Sequence, residues 1–285
     1  MESDPGNIQL RPLTHKDVPF AMHLKNMAQW NQLPSDWEFL IREGKGGNFL
    51  ALYKGQEAGT ATTLNYSNTF SWIGMVLVDP AFRGKGVGTA LLNAAMDYAP
   101  GKGTVRLDAT PQGKMLYDTL GFRTEREMVR MELNKPLPPP LHTGITVSSS
   151  HLPALTEFDK AVFGASRKPV LHYLHSQSPA YACMIKRRDR ICGYCFGRSG
   201  SAYEQIGPLI AEKPEDARDL LLTALSSRKD KPVIMDVFTE DQSWLNLLES
   251  LGFAIQRPLI RMHKGRLVIP EKQSWQYAAA GPELG

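Results

Sequence analysis

The chain has 285 residues, 42% hydrophobic and 22% charged, with 33 Lys and Arg against 29 Asp and Glu for a formal charge of +4. That balance is ordinary for a globular protein of about two domains, and so mild a charge leaves no electrostatic footprint for nucleic acid. No apolar run approaches the roughly 18 residues of a membrane span, the N-terminus lacks a basic and apolar leader, and the three cysteines argue against a disulfide framework; a cytoplasmic protein with no membrane partner is expected.

Ile8, Leu10 and Leu13 set up a first strand, and Thr14-His15-Lys16-Asp17 has the Ser/Thr-x-x-acid pattern that starts a helix. Phe20, Leu24 and Met27 then recur at helical spacing, and a second short helix follows Pro34 through Asp36, Trp37, Phe39, Leu40 and Ile41. Residues 48–53 and 58–64 read as strands joined by a turn at Lys54-Gly55, and 70–78 as a fourth strand stopped by Asp79-Pro80. Gly84, Gly86 and Gly88 follow, and then Leu91, Leu92, Ala95, Met96 and Ala99 at helical spacing. Strand, glycine loop and helix in this order suit a phosphate or pyrophosphate. Glycines let the backbone approach a ligand with its N–H groups turned inward, and the helix N-terminus adds partial positive charge. Arg83 and Lys85 reinforce the sign.

A Walker A loop is excluded because Lys85 precedes the second glycine of the run. A dinucleotide fingerprint is the closer rival, since Val105-Arg106-Leu107-Asp108 places an acid at a strand end about 20 residues on. The glycines, however, are spaced G-x-G-x-G, and residues 79–83 separate them from the strand. The run Arg83-Gly84-Lys85-Gly86-Val87-Gly88, with its lead-in Val78-Asp79-Pro80-Ala81-Phe82, instead resembles the coenzyme A loop of the GNAT N-acetyltransferase family, Arg/Gln-x-x-Gly-x-Gly/Ala. Beyond it, 104–109 reads as a fifth strand, 113–122 as a short helix closed at Gly121, and 127–133 as a last strand. The order β-α-α-β-β-β-α-β-α-β is that of the GNAT fold, so the resemblance spans about residues 7 to 134.

Lys135-Pro136-Leu137-Pro138-Pro139-Pro140 forms neither helix nor ladder and reads as a stiff linker. The chain then repeats itself. Leu120-Gly121-Phe122 and Arg130-Met131 return at the same spacing as Leu251-Gly252-Phe253 and Arg261-Met262, Ile73-Gly74 as Ile206-Gly207, and Leu107-Asp108 as Met235-Asp236. A period of about 130 residues means two copies of one domain. The second copy has Glu212-Lys213-Pro214-Glu215-Asp216-Ala217 where the first has its glycines, and paired acids there would repel a pyrophosphate. The expected plan is an α/β (α+β) chain of two tandem GNAT domains, each a mixed, mostly antiparallel sheet flanked by helices. The first spans 1–134, a proline-rich linker 135–143, and a degenerate second domain 144–268. The tail 269–285 is expected to leave the fold and fray after Tyr277. Trp30-Asn31-Gln32, Asp36-Trp37, the run from Leu107 to Gly113 and the degenerate second copy are similar to those of a group of tandem GNAT proteins.

The resemblance implies an N-acetyltransferase in which a primary amine attacks the thioester of acetyl-CoA directly, with no metal. The absence of cysteine from the first half agrees with direct transfer. It also implies that backbone groups of Val76, Leu77 and Val78 pair with the pantetheine and acyl arms, and that N–H groups of Gly84, Lys85, Gly86, Val87, Gly88 and Thr89 hold the pyrophosphate beside Arg83. Tyr117 stands where many family members carry the tyrosine that protonates the leaving thiolate; the bland reading is a half-buried helix tyrosine. The general base stays open. Gly74 stands where a glutamate is often found, Thr110 where an asparagine is, and Asp108 serves equally well as a base or as a structural acid, with a water chain as the third option. Trp30 and Asn31 lie where the first helices wall the acceptor site, and core or capping roles fit them as well.

Cys192 and Cys195 point to opposite faces of a strand and cannot converge on a metal, and His172 and His175 lack a third ligand and are expected to face solvent. The acceptor is a small amine or a peptide amine that the sequence does not name. The missing glutamate keeps open a reading as an acetyl-CoA-binding sensor or interaction protein.

Overall fold

The computed structural model describes residues 7–99, 103–134, 144–227 and 231–285; the expected linker 135–143 lies outside them. The first copy runs β1 (Ile8–Pro12), α1 (Val18–Met27), α2 (Pro34–Glu43), β2 (Phe49–Tyr53), β3 (Gln56–Tyr66), β4 (Phe70–Val78), α3 (Val87–Tyr98), β5 (Thr104–Ala109), α4 (Pro111–Thr119) and β6 (Arg123–Leu133). The second repeats that order as β7 (Ile145–Thr146), α5 (Leu152–Phe163), α6 (Lys168–Gln177), β8 (Cys183–Arg187), β9 (Arg190–Ser199), β10 (Glu204–Ala211), α7 (Pro214–Ser226), β11 (Val233–Phe238), α8 (Gln242–Ser250) and β12 (Ala254–Lys264). A last short strand, β13 (Gln276–Ala278), follows.

Backbone contacts divide the chain into two compact units, residues 1–107 with 263–266, and residues 108–262 with 267–285. This division does not fall at the proline run. Helix α4 and strand β6, which the sequence assigns to the first domain, belong to the second unit, where β6 pairs antiparallel with β11 from Val233↔Leu133 to Phe238↔Met128. Local patterning makes β6 a strand but cannot name its partner, and the partner belongs to the other copy.

In the first unit the strand order is β1-β2-β3-β4-β5, with β4 and β5 parallel and the other pairs antiparallel. Helix α3 lays Val87 and Leu91 on Ala51, Ala58 and Ala61, small residues that let the helix sit close to the sheet. Each leucine so buried contributes about 1.5–3 kcal/mol. Helices α1 and α2 pack against β3 and bury Leu24, Trp37, Phe39 and Leu40.

In the second unit the order is β12-β6-β11-β10-β9-β8-β7, with β13 on β10. The expected frayed tail is a correction. Gln276 to Ala280 are buried, with Ala278, Ala279 and Ala280 fully enclosed, because alanines pack where larger side chains have no room.

Candidate functional site

Strand β4 is built to leave its neighbours. Opposite β3 the register runs Thr60↔Leu77 and then Thr62↔Gly74, so β4 carries one extra residue, and Met75 adopts φ 51° within this bulge. The Met75 carbonyl is taken by the Thr60 hydroxyl at 3.0 Å. On the other side β4 pairs with β5 only at Phe70, Ser71 and Trp72, and its run to Val78 continues without a β5 partner. The Asp79 N–H donates to the Ala58 carbonyl at 2.9 Å, and antiparallel alternation then turns Leu77 toward Thr60 and leaves Val78 and the bulged Val76 facing the open edge. Val76 and Val78 therefore offer backbone groups to a ligand, whereas the ladder with β3 uses those of Leu77. Arg83 caps this edge, its Nε 3.3 Å from the Val78 carbonyl.

The loop follows directly. The Asp79 carboxylate accepts the Ala81 N–H at 2.8 Å and stops the strand. Gly84 and Gly86 are left-handed, at φ 75° and 85°, and Gly86 is the residue from which α3 starts. No side chain caps that start, so the first-turn N–H groups of Val87, Gly88 and Thr89 point outward from the positive end of the helix, as anion binding requires. Arg83, Gly84 and Lys85 are exposed. The Lys85 ammonium rests 5.0 Å from the Tyr53 ring and 5.1 Å from that of Phe82, which fixes a cation beside the loop.

Tyr117 lies on α4 in the second unit, its ring 5.8 Å from Phe122. Burial raises its phenol to about 12, so it holds its proton more tightly than the ordinary tyrosine assumed from the sequence. Thr110 is the N-cap of α4, accepting the Gly113 N–H at 3.2 Å. Asp108 is corrected as a base. Both of its oxygens are held by Arg261, at 2.9 and 3.0 Å, with no exposure of the carboxylate. Burial weakens Arg261's hold on its proton, but Asp108 more than offsets this and the guanidinium ends above its usual range. Asp236 receives Arg130 in the same bidentate way, at 2.7 and 2.9 Å. Each copy's arginine thus pairs with the other copy's aspartate.

Trp30 is half-buried, its N–H on the Lys25 carbonyl at 3.0 Å, and Asn31 is buried. Gln32 and Trp37 stand in the same motif as these two, whereas Thr63 and Ser71 on β3 and β4 were not singled out from the sequence. Gln32 Oε1, Trp37 Nε1, Thr63 Oγ1 and Ser71 Oγ are buried without a hydrogen-bond partner among the described residues. Thr63 and Ser71 share one face, since Thr63 pairs with Ile73 and Asn65 with Ser71. Lys25 is buried as well, and desolvation lowers its ammonium against the pull of Asp36. The threonines Thr60, Thr62 and Thr63 of β3, with Ser71 of β4, are the signal in the sequence. Orphaned buried donors and acceptors mark a place where water or a ligand completes the bonding.

Among the described residues no group of three or more His, Cys, Asp or Glu could hold a metal, and no helix is long and apolar enough to cross a membrane. His172 is exposed, but His175 is half-buried, its Nε2 3.0 Å from the Val147 carbonyl, which corrects the expectation that both face solvent. Cys195 sits opposite Cys183 across β8 and β9, a pairing the Cys192–Cys195 spacing did not suggest.

Known proteins resemble this chain in sequence and fold. Residues 15–122 match the profile described as acetyltransferase (GNAT) family, and residues 155–278 that described as acetyltransferase (GNAT) domain. The holothin acyltransferase of a Pseudoalteromonas species is 26% identical over 261 residues, covering 90% of this chain and 87% of its own. A candidate acetyltransferase from Pyrococcus horikoshii superposes with a TM-score of 0.80 at 24% identity, over 98% of this chain and 96% of its own. A tandem GNAT protein from the clavulanic acid biosynthesis pathway gives 0.62 at 12% identity, over 92% of this chain and 100% of its own. With an opened β4 and a left-handed glycine loop at the start of α3, and with a GNAT match in each copy, the chain belongs to the GNAT acyltransferases as a tandem of two GNAT domains.

Proposed function

We propose that the first copy transfers an acetyl group from acetyl-CoA to a primary amine by direct attack in a ternary complex. The observation that carries this reading is the edge of β4 released by its bulge and leading straight into an uncapped glycine loop. In it the pantetheine arm would take the open backbone groups of Val76 and the Val78 N–H, and the pyrophosphate the N–H groups of Gly84, Lys85, Gly86, Val87, Gly88 and Thr89. Arg83 and Lys85 would supply the countercharge. Tyr117 would return a proton to the thiolate, against the burial that raises its phenol to about 12 and makes that proton harder to give up than an ordinary tyrosine's. With Asp108 engaged by Arg261, the proton lost by the amine passes to water. One relative is named for acylating holothin; here the acceptor is a small amine or a peptide amine met near Trp30 and Asn31, in the cytoplasm.

The loss of Asp108 as a base also favours a second reading, a protein that binds acetyl-CoA and turns nothing over. Release of free thiol from acetyl-CoA across a panel of primary amines separates the two. Amine-dependent release supports the transferase, and tight CoA binding with no release at any amine supports the sensor.

A further inference from the structure

The second copy opens its sheet at the same place as the first. β4 and β5 are paired at Ser71↔Val105 and Trp72↔Arg106, one residue before Ile73-Gly74, and β10 and β11 at Glu204↔Val233 and Gln205↔Ile234, one residue before Ile206-Gly207. Beyond that point the edge of β10 is filled. β13 lies antiparallel along it, Ala278 opposite Leu209 and Gln276 opposite Ile210. On the other side the Ala279 N–H donates to the Asp236 carbonyl of β11 at 2.9 Å. Strand β13 and the Ala279 that follows it are thus wedged between β10 and β11. In the repeat Leu209 and Ile210 correspond to Val76 and Leu77.

The wedge is recognised through its side chains as well as its backbone. A Cβ on Gly207 would stand 1.9 Å from the Ala279 carbonyl oxygen, so that glycine is what admits the strand. The Tyr277 ring meets Trp244 edge-on at 4.9 Å. Farther along, the buried Glu283 carboxylate meets buried Arg198, which also donates to Gln205 Oε1 at 3.1 Å, and Gln205 passes the chain of bonds to Asp236 at 3.0 Å. Arg167 donates to the Gly285 carbonyl at 2.6 Å and is clamped by Asp159, which accepts the Tyr194 hydroxyl at 2.5 Å. Arg167 and Asp159 are fully enclosed. Burying an ion costs several kcal/mol unless it is paired, so charges placed this way are a built site.

We propose that the opening between β10 and β11 is a peptide-strand site and that residues 276–285 are its resident ligand. The site selects an extended run of small residues followed by a carboxylate, the strand-addition mode in which backbone bonds give affinity and pockets give specificity.

On the intact chain, hydrogen exchange read by mass spectrometry should find the amides of Ala279 and Ala280 at least about 100-fold slower than in an unstructured peptide. Glu283→Lys, which changes only the ligand, should cut that protection at least tenfold and leave β1 to β5 unchanged. A labelled synthetic peptide of residues 276–285 should bind saturably to a chain ending at Trp275, at least tenfold more weakly with the same substitution, and not to the intact chain. Unstructured exchange rates in the intact tail would overturn the proposal. So would a folded truncated chain that ignores the peptide, or an intact chain that takes it up equally. If the truncated chain does not fold, the intact-chain exchange and the Glu283→Lys comparison decide.

Discussion

Replacing Gly86 tests the cofactor loop one physical effect at a time. The residue holds φ 85°, ψ −1° at the start of α3, a left-handed conformation that costs an L-residue about 1–2 kcal/mol. Gly86→Ala should bias the loop away from the binding shape by that amount and weaken CoA about 5- to 30-fold. Gly86→Asn, which tolerates the left-handed region, should recover to within about threefold of wild type. Gly86→Glu adds an anion roughly 6 Å from the pyrophosphate, and with an effective dielectric constant between about 20 and 80 the repulsion is about 0.7–3 kcal/mol. That increment is Coulombic and should shrink as salt rises, whereas the alanine loss should not. Calorimetric titration of CoA at low and high salt, with thermal unfolding checked for each variant, reads both effects. If alanine binds as tightly as glycine, or glutamate no more weakly than alanine at low salt, the pyrophosphate does not sit on this loop.

Tyr117→Phe keeps the ring against Phe122 and should leave CoA affinity unchanged while kcat falls about 10- to 100-fold. Because burial raises the phenol to about 12, the neutral form contributes to stability below about pH 10 and that contribution fades as pH climbs toward 12; an alkaline fall in kcat near pH 10 from this group would contradict the burial. Asp108→Asn strands Arg261 and should cost about 3–5 kcal/mol in denaturant unfolding, with kcat near wild type at a temperature where the variant is folded; a loss of about 100-fold or more in the folded variant would restore a catalytic role. Residues 1–136 expressed alone carry β6 without β11 and should be insoluble or inactive, so a stable and active fragment would show that the pairing is dispensable.

The succession of elements in the first copy and its glycine loop were legible because they rest on local chemistry: apolar periodicity, Asp79-Pro80 as a stop, and glycines whose left-handed conformation Gly84 and Gly86 adopt. The bulge at Met75 was not, since nothing marks a methionine for positive φ; it follows from the register that β3 imposes. Asp108 read equally as base or structural acid because a carboxylate at a strand end looks the same until its partner is known, and that partner is far along the chain. The tail misled for a related reason. Ala278-Ala279-Ala280-Gly281-Pro282 has the composition of a frayed end, and only the space left between β10 and β11 turns small side chains into a fit.

The repeat also separates the features that the two copies share from those that differ between them. The second copy has lost its glycine loop, and the carboxylates standing there have been absorbed locally: Asp216 takes Arg187 at 2.7 Å, and Glu212 pairs with Arg190. The arginine and aspartate of each copy are different. Arg130 reaches Asp236 and Arg261 reaches Asp108, and all four side chains are almost fully enclosed. Removing any one would leave a buried charge unanswered in the other copy, at a cost several times that of a surface pair. The two copies therefore differ at the loop while both keep the arginine and the aspartate that pair with those of the other copy.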